Sequence, residues 1–195
     1  MEWLSEASRV VVLGASAGAV EVLGQLLPAL PFDFPWPVLV VVHLPARAPS
    51  LLVPLFAPRC ALRLCDAEDK QPLAPSTVYF APPDYHLLVE SRELLALSID
   101  PPVQFSRPSI DVLFHSAAAV FGPAALGILL SGANSDGAAG LRAICDAGGL
   151  GWVQDPATAV AREMPLAALR RVPTALALAP AALAQALCHL AQVGS

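Results

Sequence analysis

Serine, histidine and aspartate each follow a run of apolar residues in this 195-residue chain, and together they can perform acyl transfer. Ser16 stands in GASAG (14–18), directly after VVVL, and fits the G-x-S-x-G pattern of a serine on a tight strand-to-helix turn. The alternative is that Ser16 caps a helix beginning near Ala17. A phosphate loop is poorly supported, because neither G-x-G-x-x-G nor G-K-[ST] occurs. Ser16 is therefore a candidate nucleophile.

A serine nucleophile needs a general base, and the chain contains four histidines. His43 ends PVLVVVH, so we expect it at the same carboxyl edge of a parallel sheet as Ser16, where open α/β folds place their sites. His86 follows APPDY and ranks second. We expect His115, on a helix face, to be structural, and His189, in the C-terminal helix, to be exposed. Position therefore favours His43 as the base.

The carboxylate that would orient the base is best supplied by Asp136, in ILLSGANSDGAAG (128–140), a third strand-turn-helix transition. The alternative is that Asp136 caps or charges the first turn of a helix over 136–147. With Asp136, three strand ends each supply one member of a Ser-His-Asp set. Their order along the chain differs from the Ser, Asp, His order of α/β-hydrolases, so an ordinary α/β-hydrolase is not indicated.

The elements that must position these side chains alternate apolar runs with helical patterns, which predicts an α/β fold. Strands rich in valine without polar alternation indicate a doubly wound, mostly parallel sheet flanked by helices. The segment HLLVESRELLALSI (86–99) breaks the rhythm and predicts an inserted antiparallel hairpin. Strands are predicted at 9–14, 37–42, 61–65, 77–80 and 124–130, and helices at 17–27, 49–57, 108–121, 136–147 and 180–192.

Composition excludes several classes of protein. A net charge of −5 without any basic run argues against nucleic acid as a partner. Two long uncharged stretches, 112–133 and 172–193, imitate membrane spans, but Gly122-Pro123 and Pro180 interrupt them, so we expect no membrane insertion. The N-terminus lacks the apolar run of a signal peptide, and the four cysteines lack metal-ligand spacing, which favours reduced thiols in a cytoplasmic protein.

The sequence resembles the catalytic domain of the chemotaxis protein-glutamate methylesterases, the CheB family, from about residue 9 to about 180 of a single domain over 1–195. Six segments carry the resemblance in order: VVVLGASAGAVEVL, VVVHLP, YFAPPDYHLLV, SRPSIDVLFHSAA, GILLSGANSDGAAG and VQDPATAVAREMP. The resemblance implies hydrolysis of glutamate γ-methyl esters on the cytoplasmic helices of methylated chemoreceptors, without metal or cofactor. It also implies glutamine deamidation at the same site, and it leaves the oligomeric state open.

Carried over residue by residue, the resemblance implies a set of functional positions. The catalytic residues would be Ser16, His43 and Asp136; the oxyanion donors would be the amides of Ala17 and Ala133; and the residues binding substrate or lying near the cleft would be His86, Arg107 and Met164.

Three departures from the family pattern leave a second hypothesis open, a non-catalytic module that binds receptors or a signalling partner. Asn134 replaces a glycine and Ala133 a methionine of LTGMGxDG, and Glu163 stands where glycine is usual. If position 134 requires positive φ, asparagine is among the cheaper substitutes. We see no receiver domain before residue 9, so we expect no phosphorylation control within this chain.

Overall fold

Seven strands form one parallel sheet in the computed structural model, which describes residues 9–43 and 50–193. The strands of this sheet are β1 (Val10–Ala15), β2 (Val38–Val42), β3 (Arg63–Asp66), β4 (Thr77–Phe80), β7 (Ala125–Leu129), β8 (Leu150–Gln154) and β9 (Leu176–Leu178). They lie in the order β3-β4-β2-β1-β7-β8-β9, and every pairing is parallel. The predicted hairpin is present as the antiparallel pair β5 (His86–Val89) and β6 (Leu95–Ser98).

Helices cover both faces of the sheet, which confirms the predicted doubly wound architecture. The helices are α1 (Ala19–Leu26), α2 (Leu52–Phe56), α3 (Ile110–Phe121), α4 (Ala138–Asp146), α5 (Glu163–Arg171) and α6 (Pro180–Val193). Along β1, Val11 and Leu13 pack into a core cluster with α1, α2 and α6, whereas Val10 and Val12 pack into a second cluster with α3, α4 and α5. The valine run is therefore buried on both sides, as a central parallel strand requires.

The predicted strands agree with the structure within two residues, but three elements were not predicted: β8, α5 and β9. Strand β8 follows the pair Gly148-Gly149, and its five residues carry too short an apolar run to signal a strand. Strand β9 has only three residues, leucine and alanine, in a segment whose composition favours helix. The first residue of the helix predicted over 49–57 lies outside the described residues.

The two stretches that imitate membrane spans fold as ordinary α/β elements. The first contains α3 followed by β7, and the second contains β9 followed by α6, which begins at Pro180. Within the residues that the structure describes, no helix has the length and hydropathy needed to cross a bilayer.

Strand β1 lies at the point where the order of the strands reverses. The chain proceeds from β1 to β2 on one side, and β7 pairs with β1 on the other side. Open α/β sheets bind ligands outside the carboxyl ends of strands at such a switch point. Ser16, His43 and the loop 130–137 follow these three strands directly, so the sheet brings all three segments to one edge.

Candidate active site

Ser16 lies in the turn between β1 and α1, with its backbone fixed and its hydroxyl unengaged. Its amide donates to the carbonyl of Ser131 at 2.9 Å, and its carbonyl accepts from the amide of Ala19 at 3.0 Å. Among the described residues, the Ser16 hydroxyl has no hydrogen-bond partner. Helix α1 begins at Ala19 behind Gly18, and no side chain caps it. The alternative role for Ser16 as a helix cap is therefore wrong, and its half-buried hydroxyl is available for chemistry.

The turn depends on a glycine at position 18. Gly18 has φ +83°, a left-handed conformation that side chains with a Cβ rarely adopt. A Cβ on Gly18 would lie 2.7 Å from Cβ of Val160 and 2.8 Å from Oγ of Ser131. Only glycine allows the chain to turn this closely under the loop that carries Ser131.

Ser131 joins the Ser16 turn to the loop after β7. Its hydroxyl donates to the carbonyl of Ala17 at 2.6 Å and accepts from the amide of Ala161 at 2.9 Å. Its own amide donates to Oε1 of Gln154 at 2.9 Å, at the end of β8. The two loops at the carboxyl edge are therefore cross-linked by a buried serine, and their relative position is fixed.

Two backbone amides at this edge have no acceptor among the residues that the structure describes. Ala17 and Ala133, proposed from the family resemblance as oxyanion donors, are both exposed. Neither N–H donates to another described residue. An exposed residue with an undonated amide on each of two cross-linked loops is compatible with an oxyanion hole, which needs two such donors.

His43 and Asp136 form the close polar pair of this edge. Nε2 of His43 lies 2.8 Å from Oδ2 of Asp136, with the His43 side chain 13% exposed and Asp136 fully buried. The contact leaves Nδ1 of His43 to face outward, where Nδ2 of Asn134 lies 3.4 Å away. The amide orientation of Asn134 is fixed because its Oδ1 accepts from the amide of Asp136 at 3.2 Å.

Asp136 is stabilised as a carboxylate by the start of α3. Its Oδ1 accepts from the Ser109 hydroxyl at 2.8 Å and from the Asp111 amide at 3.0 Å, and its Oδ2 accepts from the Ile110 amide at 2.7 Å. Burial alone would raise the pKa of Asp136, but the hydrogen bonds from His43 and from these three groups outweigh it and lower the pKa. Ionised Asp136 can only accept, so Nε2 of His43 carries the proton and the lone pair is on Nδ1.

The alternative role for Asp136, as the cap of its own helix, is also wrong. Helix α4 begins at Ala138, with Gly137 at the N-cap and no side-chain cap. The carboxylate instead caps α3, which is distant in sequence.

Asp111 is a neighbouring buried carboxyl group that accepts fewer hydrogen bonds than Asp136, and its pKa is shifted the other way. Its Oδ1 accepts from the amide of Gly140 at 2.7 Å, and its Oδ2 accepts from Nε2 of Gln104 at 2.8 Å. Burial raises the pKa of Asp111, the hydrogen bond from Gly140 opposes the rise, and the nearby charge of Asp136 adds to it. Two neighbouring carboxyl groups are thus shifted in opposite directions, and the one that contacts His43 is the one held ionised.

A surface groove of about 440 Å³ contains both Ser16 and His43. Its other lining residues are Gly18, Ala19, Val20, Glu21, Val42, Leu52 and Val160. No hydrogen bond joins Ser16 to His43 among the described residues, and the imidazole ring of His43 bonds to Asp136 and Asn134. The groove is therefore largely apolar, with the candidate nucleophile and base on its wall and one carboxylate, Glu21.

None of the three residues expected to bind substrate or lie near the cleft lines this groove. His86 is 1% exposed; its Nδ1 accepts from the Ser109 amide at 3.1 Å. Arg107 pairs with Asp84 at 2.6 Å and donates to backbone carbonyls after β6. Met164 is fully buried, and its side chain packs against Gly132 under the loop after β7. His86 and Met164 therefore hold segments next to the site, Ser109 and Gly132, whereas Arg107 holds the segment after β6.

The departures from the family pattern have structural consequences of different size. Asn134 does not adopt positive φ, so its backbone does not require the glycine of the family pattern. What the substitution adds is a side chain, and that side chain contacts His43. Glu163 is the first residue of α5 and is exposed. Sequence reasoning missed Ser109, although a serine before a helix with an acid in its first turn is a recognisable N-terminus. The sequence carries no signal for the direction in which that hydroxyl points.

Comparison with known proteins finds relatives of similar sequence and a solved structure of similar fold. A Leptospira interrogans relative, provisionally named protein-glutamate methylesterase/protein-glutamine glutaminase, is 43% identical over 159 residues, 82% of each chain. A Nocardioides protein-glutamate methylesterase/protein-glutamine glutaminase is 42% identical over 168 residues, which are 80% of this chain and 43% of that protein. The Thermotoga maritima CheB methylesterase catalytic domain superposes with a TM-score of 0.89 at 28% identity, covering 96% of this chain and all of that one.

The sequence profile of the CheB methylesterase family matches residues 11–187, which contain the parallel sheet except for Val10 and all three segments of the candidate site. The resemblance noted in the sequence is thereby confirmed, and the chain belongs to the CheB methylesterase family.

Proposed function

We propose that this protein hydrolyses γ-methyl esters of glutamate residues on the cytoplasmic helices of chemoreceptors, releasing methanol. The observation that carries the proposal is the buried His43–Asp136 pair at 2.8 Å, at the sheet edge where Ser16 shares a groove with His43. The names of the relatives support the choice of substrate and add a second activity, deamidation of glutamine. A substrate on cytoplasmic receptor helices would place the protein in the cytoplasm.

In the proposed mechanism, Nδ1 of His43 takes the proton of the Ser16 hydroxyl as Oγ attacks the ester carbonyl. Nδ1 is the base because Nε2 is engaged with Asp136, which stabilises the imidazolium that forms. The tetrahedral oxyanion accepts from the amides of Ala17 and Ala133, and such donors contribute about 3 kcal/mol each to transition-state stabilisation. His43 then protonates the leaving methoxide, which departs as methanol.

The second half of the reaction uses the same groups. A water molecule gives a proton to His43 and attacks the glutamyl ester on Ser16, and the ester bond breaks to regenerate the Ser16 hydroxyl and a free γ-carboxyl group. The apolar groove walls suit the methylene chain of the substrate residue. Glu21, an exposed carboxylate on that wall, repels the anionic product but not the neutral ester, which favours product release.

Methanol release from receptor-containing membranes methylated with a radioactive methyl group tests the proposal. We expect the wild-type protein to release labelled methanol, and the Ser16→Ala variant to release none above background. Membranes without receptors, treated with the same labelled methyl donor, are the control for labelled contaminants. Ammonia release from receptors with glutamine at the same positions tests the second activity. Full retention of label with folded wild-type protein would overturn the assignment of substrate.

A further inference from the structure

The carboxylate of Asp136 has a second side-chain partner besides His43. Ser109, immediately before α3, is fully buried, and its Oγ donates to Oδ1 of Asp136 at 2.8 Å. Oδ1 is the oxygen further from His43, because His43 contacts Oδ2. The hydroxyl therefore fixes the rotation of the carboxylate from the side opposite to the imidazole.

The hydroxyl of Ser109 does not make the hydrogen bond that is usual for a serine at a helix N-cap. A serine at the N-cap of a helix normally accepts from an amide in the first turn. Ser109 has the extended backbone of an N-cap, with φ −106° and ψ 138°, but it makes no side-chain cap hydrogen bond. The carboxylate of Asp136 takes the amides of Ile110 and Asp111 instead. The Ser109 hydroxyl therefore donates to the Asp136 carboxylate and does not cap the helix.

His86 fixes the backbone of Ser109. Nδ1 of His86 accepts from the Ser109 amide at 3.1 Å, so the ring proton is on Nε2, which donates to the carbonyl of Pro101 at 3.2 Å. Both His86 and Ser109 are buried, and neither lines the groove that contains Ser16. Ser109 is thus held at its amide and at its hydroxyl, between the inserted hairpin and Asp136.

We propose that Ser109 is a positioning residue that acts through Asp136. It orients the carboxylate so that Oδ2 meets Nε2 of His43, and it contributes to the reactivity of Ser16 without touching the substrate. The inference rests on the proposed Ser16-His43-Asp136 mechanism but not on the identity of the ester.

The test is the kinetics of Ser16 phosphonylation by a fluorophosphonate, measured over a range of probe concentrations so that the maximal rate and the half-saturating concentration are separated. Ser109→Ala should lower the maximal rate about tenfold and leave the half-saturating concentration unchanged, because hydrogen bonds to charged groups have effects of this order. Ser109→Thr retains the hydroxyl and should restore most of the rate.

A matched control is available in the same helix. Ser116 accepts from the Val89 amide at 3.0 Å and donates to the Leu113 carbonyl at 2.8 Å, so Ser116→Ala removes two hydrogen bonds without touching Asp136. We expect it to react at the wild-type rate. Equal losses of rate in Ser109→Ala and Ser116→Ala would overturn the proposal, as would a wild-type rate in Ser109→Ala.

A double-mutant cycle separates positioning from general destabilisation. In an Asp136→Asn background, Ser109→Ala should change the phosphonylation rate by less than about twofold, because the carboxylate it acts through is gone. A further tenfold loss in that background would overturn the proposal. If the wild-type protein is labelled at Ser16 but releases no methanol from receptors, the assignment of substrate fails and the inference on Ser109 stands.

Discussion

The two halves of the candidate site are built in opposite ways. The acid–base half is buried and crowded with hydrogen bonds: Asp136 accepts from His43, Ser109 and two helix amides. The nucleophile half is a surface turn in which Ser16 is held by its backbone, while its hydroxyl bonds to none of the described residues.

The difference reflects the chemistry each half would perform. A buried charge must be solvated by fixed dipoles before any substrate arrives, so the acid–base half needs the fold to assemble several distant segments. A nucleophile needs access and a free lone pair, so a glycine-supported turn is sufficient for it. Removal of the nucleophile's hydroxyl should therefore affect activity alone, and removal of the buried carboxylate should affect activity and stability together.

Ser16→Ala gives the largest expected effect. Loss of the nucleophile should reduce ester hydrolysis by at least about 10⁴-fold. The free energy of unfolding should change by less than about 0.5 kcal/mol, because the hydroxyl bonds to none of the described residues and the site is at the surface. Turnover and urea unfolding of the purified variant measure the two quantities. Ser91→Ala, in the hairpin, is the control and should match the wild type in both; hydrolysis by Ser16→Ala at the wild-type rate would remove Ser16 from the mechanism.

Asp136→Asn tests the other half. An amide in place of the carboxylate cannot accept all four hydrogen bonds or stabilise the imidazolium, so the rate should fall by about 10³–10⁴-fold. The free energy of unfolding should also fall, by about 1–3 kcal/mol, because buried amides of α3 lose their charged partner. The same two assays decide the matter. If stability remained unchanged, the contrast between the halves would be refuted.

Gly18→Ala perturbs the nucleophile half without removing a functional group. The new Cβ meets Val160 and Ser131 in a left-handed backbone conformation, so we expect a loss of about 1–2 kcal/mol in stability and about tenfold in rate. Gly24→Ala, inside α1 with no atom closer than 3.7 Å to its Cβ, is the matched control. It should stabilise the protein by about 0.5–1 kcal/mol at unchanged rate. Equal behaviour of the two variants would show that the turn does not depend on Gly18.

Acid should erase the stabilising contribution of the carboxylate. The pKa of Asp136 is lowered by folding, so its contribution is fully present above the pKa of an unfolded aspartate, about 3.9, and is lost as pH falls through the lower folded value. The difference in unfolding free energy between wild type and Asp136→Asn should therefore shrink below about pH 4, when urea titrations at pH 7 and pH 3 are compared. A difference that widens at pH 3 would contradict a lowered pKa.

Asn134→Ala is expected to have the smallest effect, with the opposite sign. The Asn134 amide donates to Nδ1 of His43 at 3.4 Å, so it competes with Ser16 for the lone pair of the base. Because the bond is long and exposed, its removal should raise the acylation rate of Ser16 only about two- to fivefold. Ser135→Ala, whose hydroxyl bonds to Gln104 instead, is the neighbouring control and should leave the rate unchanged. A slower Asn134→Ala would mean that the contact assists the base.

The same contrast explains what the sequence could and could not predict. The valine runs of β1 and β2 predict buried parallel strands, and the polar residues that follow them, Ser16 and His43, necessarily meet at one edge. The nucleophile half is local, since its turn is encoded in five consecutive residues. The positions of these residues at the ends of neighbouring strands are therefore enough to predict from the sequence that they lie close together.

The acid–base half depends on a contact that no local pattern encodes. Asp136 reads as a cap for the helix that follows it, yet its carboxylate caps α3, 26 residues earlier in the chain at Ile110. The donors to Asp136 come from the packing of α3 against α4 across one face of the sheet. The short strand β8 was not predicted for a related reason, because its place in the sheet is decided by pairing with β7 and not by its own apolar run.

The central claim is that the unengaged Ser16 hydroxyl is the nucleophile and that His43 is its base. The most direct measurement is mass-spectrometric mapping of the residue that a fluorophosphonate modifies, in wild type and in His43→Gln. We expect a single adduct on Ser16 in the wild type, with fluoride as the leaving group, and labelling at least about 10³-fold slower in the variant. An adduct on another residue, or equal labelling of Ser16 in both proteins, would contradict the account.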